Sequence, residues 1–102
     1  MRVMLKVTFP VEPFNTAVRD GSAGAKMGRI LEDLKPEAAY FMDNDGQRSG
    51  ILIVDLPDAS KIPALAEPWF LTFNAAIEFK PVMTIEDLKA SGLDQIGAKY
   101  RG

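Results

Sequence analysis

Along residues 2–9 the chain alternates. Val3, Leu5, Val7 and Phe9 make one wholly apolar face, and Arg2, Met4, Lys6 and Thr8 make a mixed one. That period of two predicts a strand with one face on a core. Pro10 and Pro13 end it, because proline removes a ladder donor. From Phe14 to Leu34 the spacing lengthens to three and four, through Phe14, Ala17, Val18 and Gly21 and then Met27, Ile30, Leu31 and Leu34. This predicts a helix. Gly21, Gly24 and Gly28 each weaken it by roughly 1 kcal/mol relative to Ala, and Pro36 stops it.

Two strands are predicted next, Ala38–Asp43 and Arg48–Leu56, flanking Asp45-Gly46, a pair that favours a tight turn with positive φ. On the second strand Leu52, Val54 and Leu56 line one face and Ile51, Ile53 and Asp55 the other. Pro57 to Trp69 reads as a short helix: Ser60 can cap it, Pro63 is tolerated in a first turn, and Ile62, Leu65 and Ala66 face inward. Asn74–Val82 is predicted as a fourth strand, with Ala75, Ile77 and Phe79 opposite Ala76, Glu78 and Lys80. Thr84-Ile85-Glu86-Asp87 opens a last helix with an acidic first turn, and Gly92 interrupts it.

The order β-α-β-β-α-β is the split βαβ, or ferredoxin-like, pattern: an α+β fold with four antiparallel strands and two helices on one face. Residues 1–102 read as one such domain, with 84–102 as a C-terminal helical extension. The other face of the sheet would hold Met4, Ile51, Ile53 and Val82 among charges, too much apolar surface to leave in water. A second copy packed sheet against sheet about a two-fold axis would cover it, so a homodimer is expected.

Composition narrows the chemistry. The 102 residues contain no cysteine and no histidine, which excludes a thiolate metal site, an imidazole base, a Ser-His-Asp triad and His-ligated zinc or haem. With 12 basic against 14 acidic residues the chain lacks the concentrated positive surface that nucleic acid demands. Lys6 breaks the apolar run at the N-terminus, and no small-residue cleavage site follows. No apolar stretch approaches the ~20 residues that cross a bilayer. A cytoplasmic protein, bound to neither membrane nor nucleic acid and without a cofactor, is the expectation.

The layout resembles the dimeric α/β barrel superfamily, which includes muconolactone isomerase-like proteins and small cofactor-free monooxygenases. More narrowly, Lys35-Pro36-Glu37-Ala38-Ala39-Tyr40-Phe41, Gly46-Gln47-Arg48, Glu67-Pro68-Trp69-Phe70 and Pro81-Val82-Met83-Thr84-Ile85-Glu86-Asp87-Leu88 resemble an uncharacterised bacterial family of single-domain proteins of this length. The resemblance spans nearly the whole chain and implies the fold and the dimer, with no activity to carry over. The haem-handling branch of the superfamily uses a histidine, and this sequence departs from it there.

Three sets of residues are candidates for chemistry. On the uncovered face, Lys6, Asp55, Glu78 and Lys80 form a charged set in which Lys6 is expected to approach both Glu78 and Asp55. Such a set either moves a proton in a barrel lumen or pairs across strands to fix register, and the second is the commoner use. The aromatic cluster Tyr40, Phe41, Trp69, Phe70 and Phe73 either walls a pocket or packs as core. Tyr40 and Trp69 each carry a polar atom on a large apolar body and would sandwich a ligand, with Arg48 holding its anionic group. The glycines at 21, 24 and 28 miss the dinucleotide fingerprint and suit close helix packing better. Asp43-Asn44-Asp45-Gly46 is a turn rather than a calcium loop, since no glutamate stands at the required distance. Lys99, Tyr100 and Arg101 form a basic end, read as a solvated tail or an arm gripping a partner.

Two functions fit. In one, the protein binds a small hydrophobic anion through Tyr40, Arg48 and Trp69, and in its enzymatic form is a cofactor-independent isomerase or oxygenase using Lys6, Glu78 or Asp55. In the other it is a non-catalytic dimeric module. A ligand-sized pocket beside Tyr40 and Trp69, roughly 300 Å³ or more, separates them.

Overall fold

A computed structural model describes residues 1–102. Strand β1 (Arg2–Thr8) leads into helices α1 (Val11–Asp20) and α2 (Ala23–Leu34), followed by the hairpin β2 (Ala38–Asn44) and β3 (Gln47–Asp55). A single 3-10 turn at Ala59–Lys61 enters α3 (Ile62–Phe73), β4 (Ala76–Pro81) follows, and α4 (Ile85–Ala90) and α5 (Leu93–Lys99) close the chain. The sheet order is β2-β3-β1-β4, antiparallel throughout. This is the α+β, ferredoxin-like arrangement that the pattern predicts, with β2 and β4 as edges.

Register divides the residues between the two faces. Leu5 lies opposite Leu52 and Phe79, and Val7 opposite Gly50 and Ile77, which sets the apolar face toward the helices. Val3, Leu5, Val7, Leu52, Val54, Trp69 and Phe73 are all at most 2% exposed there, and Ile30 of α2 joins them. Trp69 and Phe73 carry the largest share of the burial, since one aromatic side chain removes about 150–250 Å² from water.

The helix predicted from Phe14 to Leu34 is two helices. Gly21 adopts φ +84, and its amide and that of Ser22 return to carbonyls of Val18 and Ala17, ending α1. A left-handed residue closes a helix because it turns the amides back onto the last carbonyls, and glycine takes that conformation freely. The predicted 57–69 helix starts later and runs further. Asp58, not Ser60, caps the 3-10 turn that leads into it, accepting from the Ser60 amide at 2.9 Å, and the Ser60 hydroxyl also donates to this carboxylate. Pro68 lies inside α3 and does not end it; Asn74 does, at φ +53. Burial of Trp69 and Phe73 on the sheet outweighs the hydrogen bond that Pro68 removes.

The last segment stands away from this body. α4 is well specified, with a reciprocal capping box between Thr84 and Asp87 at 3.0 Å each way, and Gly92 at φ +75 separates it from α5. Yet no residue of either helix is buried. The molecule measures 61 × 28 × 19 Å with a radius of gyration of 17.4 Å, against about 13 Å for a compact domain of this length. Its accessible surface is 7003 Å², about 1,300 Å² above that of a folded monomer of this mass.

Candidate functional site

Arg48 is the second residue of β3, just beyond the Asp45-Gly46 turn, where φ is +54 and +77. The turn fixes Asn44 opposite Gln47, and therefore Phe41 opposite Gly50 and Tyr40 opposite Ile51. Alternation puts Arg48 on the helix side with Gly50 and Leu52. Its guanidinium carbon sits 4.6 Å over the Phe14 ring, and Nη1 donates to Asn15 Oδ1 at 2.7 Å, so α1 supplies both the aromatic shelf and the polar anchor. Phe14 stacks on Phe73 at 4.9 Å, and Phe9 stands edge-on to Phe14 and Trp69 at 5.1 and 5.9 Å. The first layer of the site thus rests directly on the core.

Beside this stack a cleft of about 360 Å³ opens between α1, α2 and the β2–β3 hairpin. Phe9, Phe14, Met27, Phe41 and Met42 wall it, Gly24 forms part of its floor, and Arg48 is its one charged residue. Gly50 lets that wall lie close: a Cβ at that position would stand 3.0 Å from the Phe41 ring, which would have to shift to admit it. No carboxylate lies within ion-pair distance of Arg48. Glu12 feels its charge but is engaged elsewhere, accepting from the Thr16 amide and hydroxyl at 3.1 and 2.6 Å. The Thr16 hydroxyl chiefly, with Arg19 and Arg48 adding less, holds the Glu12 carboxyl below the usual carboxylate range. An apolar cleft with one cation lacking an ionic partner is complementary to an apolar anion.

The other expected site residues are divided between the two faces of the sheet. Tyr40 projects from the uncovered face and is 69% exposed, while Trp69 is completely buried on the helix side. The sheet lies between them, so the Tyr40–Trp69 sandwich does not form and no cavity opens beside the pair. Trp69 Nε1 has no hydrogen-bond acceptor. Lys6 lies opposite Glu78, and the two line a hollow of about 350 Å³ on the uncovered face, but Glu78 pairs with Lys80 at 3.5 Å. Asp55 pairs with the N-terminal amine at 3.1 Å, and it stands opposite Arg2, four residues along the strand from the partner of Lys6. Lys6 therefore does not approach both carboxylates. Phe73 is core, whereas Phe70 is 39% exposed.

A larger groove of about 730 Å³ separates α2 from α3, but Lys26 and Arg29 are balanced there by Asp33 and Glu67, so it selects no charge. No cluster of three or more potential metal-ligating side chains occurs, and no helix is long and apolar enough to cross a membrane. Phe14, Asn15 and Met27 were not singled out as site residues by the sequence. A family model described as a domain of unknown function, DUF3303, matches residues 1–95. No curated protein matches the sequence.

Proposed function

We propose, for a chain that belongs to the DUF3303 family, that it is a binding module for a small apolar anion, held in the Arg48 cleft of a homodimeric scaffold. The observation that carries this reading is the placement of Arg48: its cation is fixed by Phe14 and Asn15, lacks an ion-pair partner, and faces a cleft otherwise walled by apolar side chains. An aromatic or branched carboxylate would lay its apolar part against Phe41 and Met27 and accept from the guanidinium. The reading favours binding over catalysis, because Lys6, Glu78 and Asp55 stand on strands β1, β4 and β3 facing away from the helices and cannot reach a ligand in this cleft. A second copy would cover the uncovered face, where Met4, Ile51 and Ile53 are half-buried and Tyr40 and Met42 exposed.

The test is a set of aromatic and branched-chain carboxylates followed by amide NMR and thermal melting. Binders should shift the amides of Phe14, Phe41 and Arg48, and Arg48→Ala should weaken them by about 10- to 150-fold, the range of a hydrogen bond to a charged group. Unchanged spectra and melting across the set would leave the non-catalytic dimeric module as the account of the fold, which the closed packing around Trp69 already favours.

A further inference from the structure

The arm formed by α4 and α5 is locally specified and globally unsupported. The capping box of Thr84 and Asp87 fixes where α4 begins, and Asp87 faces Arg2 across the end of the sheet, but from there on the arm leaves the body. Helices of six and seven residues do not persist alone in water, where about 12–15 are needed even for favourable sequences. Their apolar positions nevertheless form a stripe, Ile85 and Leu88, then Leu93, Ile96 and Tyr100, all between 45% and 77% exposed. A stripe at helical spacing is the signature of a face that meets another surface.

We propose that this arm is exchanged between two copies of the chain, each arm lying along the β2 edge of the other copy and closing the outer side of its Arg48 cleft. The inference rests on the dimer in the reading above and adds a partner residue set to that site. Three observations choose a second copy as the occupant. First, the excess of about 1,300 Å² per chain would, if removed in a dimer, place the interface among those of obligate homodimers, about 2,000 Å² or more in total. Second, donor and acceptor surfaces occur on the same molecule: the arm leaves from edge strand β4, and the opposite edge, β2, exposes Tyr40, Phe41 and Met42. A two-fold axis parallel to the strands lays β4 of one sheet over β2 of the other, so both exchanges are satisfied by one operation. Third, the reach is sufficient. The two helices, six and seven residues long, add up to about 20 Å, whereas stacked sheets lie about 10 Å apart and the run from Ala38 to Met42 is about 13 Å long. Phe41 and Met42 line the cleft and are still 48% and 38% exposed, so an arm along β2 would supply the wall that is missing there.

Because the chain contains no cysteine, a single one can be introduced and labelled cleanly. Ile96→Cys carrying a benzophenone is mixed as ¹⁵N-labelled and unlabelled full-length chains and irradiated. The expected product joins the two isotopic chains, with the link falling within residues 38–44. In parallel, the double variant Leu93→Ser with Ile96→Ser should raise the dimer dissociation constant by about tenfold or more in sedimentation, since two apolar side chains lose their contact. Links confined to one chain, or an unchanged dissociation constant in the double variant, overturn the exchange and leave the dimer standing. A wild-type chain that sediments as a monomer at tens of micromolar overturns both the exchange and the dimer.

Discussion

Gly50 and Trp69 show how one position can set the shape of the site. Gly50→Val would push a branched side chain into the Phe41 ring, already 3.0 Å from where a Cβ would stand. The expected loss is about 1–3 kcal/mol in urea unfolding, with a shift of the Phe41 ring resonances. Trp69→Ala should remove about 3–5 kcal/mol, and Trp69→Phe clearly less, because phenylalanine refills most of the space and takes away an indole N–H that has no acceptor. At this scale the sequence was only partly readable. The pairing of Tyr40 with Trp69 fails on parity: the Asp45-Gly46 turn sets Asn44 against Gln47, hence Tyr40 against Ile51, on the face away from the helices. That much was available in the turn itself. Arg48 meeting Phe14 was not, because nothing local to either residue specifies how α1 crosses the hairpin.

Among the elements, strands were the most legible, since a period of two and one turn dipeptide determine both face and register. The helices were less so, because a glycine that tolerates a helix and one that ends it look alike in sequence. Gly21 and Gly28 make that difference measurable. Gly21→Ala forces a left-handed φ on a residue with a Cβ and should destabilise by about 1–2 kcal/mol. Gly28→Ala, with nothing within 4 Å of the new Cβ, should stabilise α2 by about 0.5–1 kcal/mol. Thermal melts of the two variants should therefore move in opposite directions. In α4 the Thr84 amide donates to the Asp87 carboxylate at 3.0 Å and holds its pKa below the ordinary carboxylate value. A depressed folded-state pKa means that this contribution is complete above the unfolded value and is lost as pH falls through the folded one. The amide shifts of Thr84 and Asp87 should accordingly change together in acid, below the usual carboxylate range, and Asp87→Asn should abolish the titration.

For the molecule as a whole, surface is the unusual quantity. If a second copy removes the excess, the melting temperature of the wild-type chain should rise with protein concentration, as it does for any state that binds its own kind only when folded. Ile53→Lys, on the face away from the helices, should remove that dependence while leaving the low-concentration melting temperature nearly unchanged. A further consequence follows from the place of β2 in the sheet. Its outer edge presents unpaired backbone groups along Ala38–Met42, a run of two alanines, two aromatics and a methionine without a charge. Lys35, Pro36 and Glu37 on one side and Asp43 and Asp45 on the other are the nearby brakes on strand addition by another chain. Neutralising Asp43 should therefore expose a templating edge, and the variant Asp43→Asn is expected to form thioflavin-binding aggregates from dilute, partly unfolded solutions in which the wild-type chain stays clear. The concentration of folded partner would then decide whether that edge is covered or free to recruit.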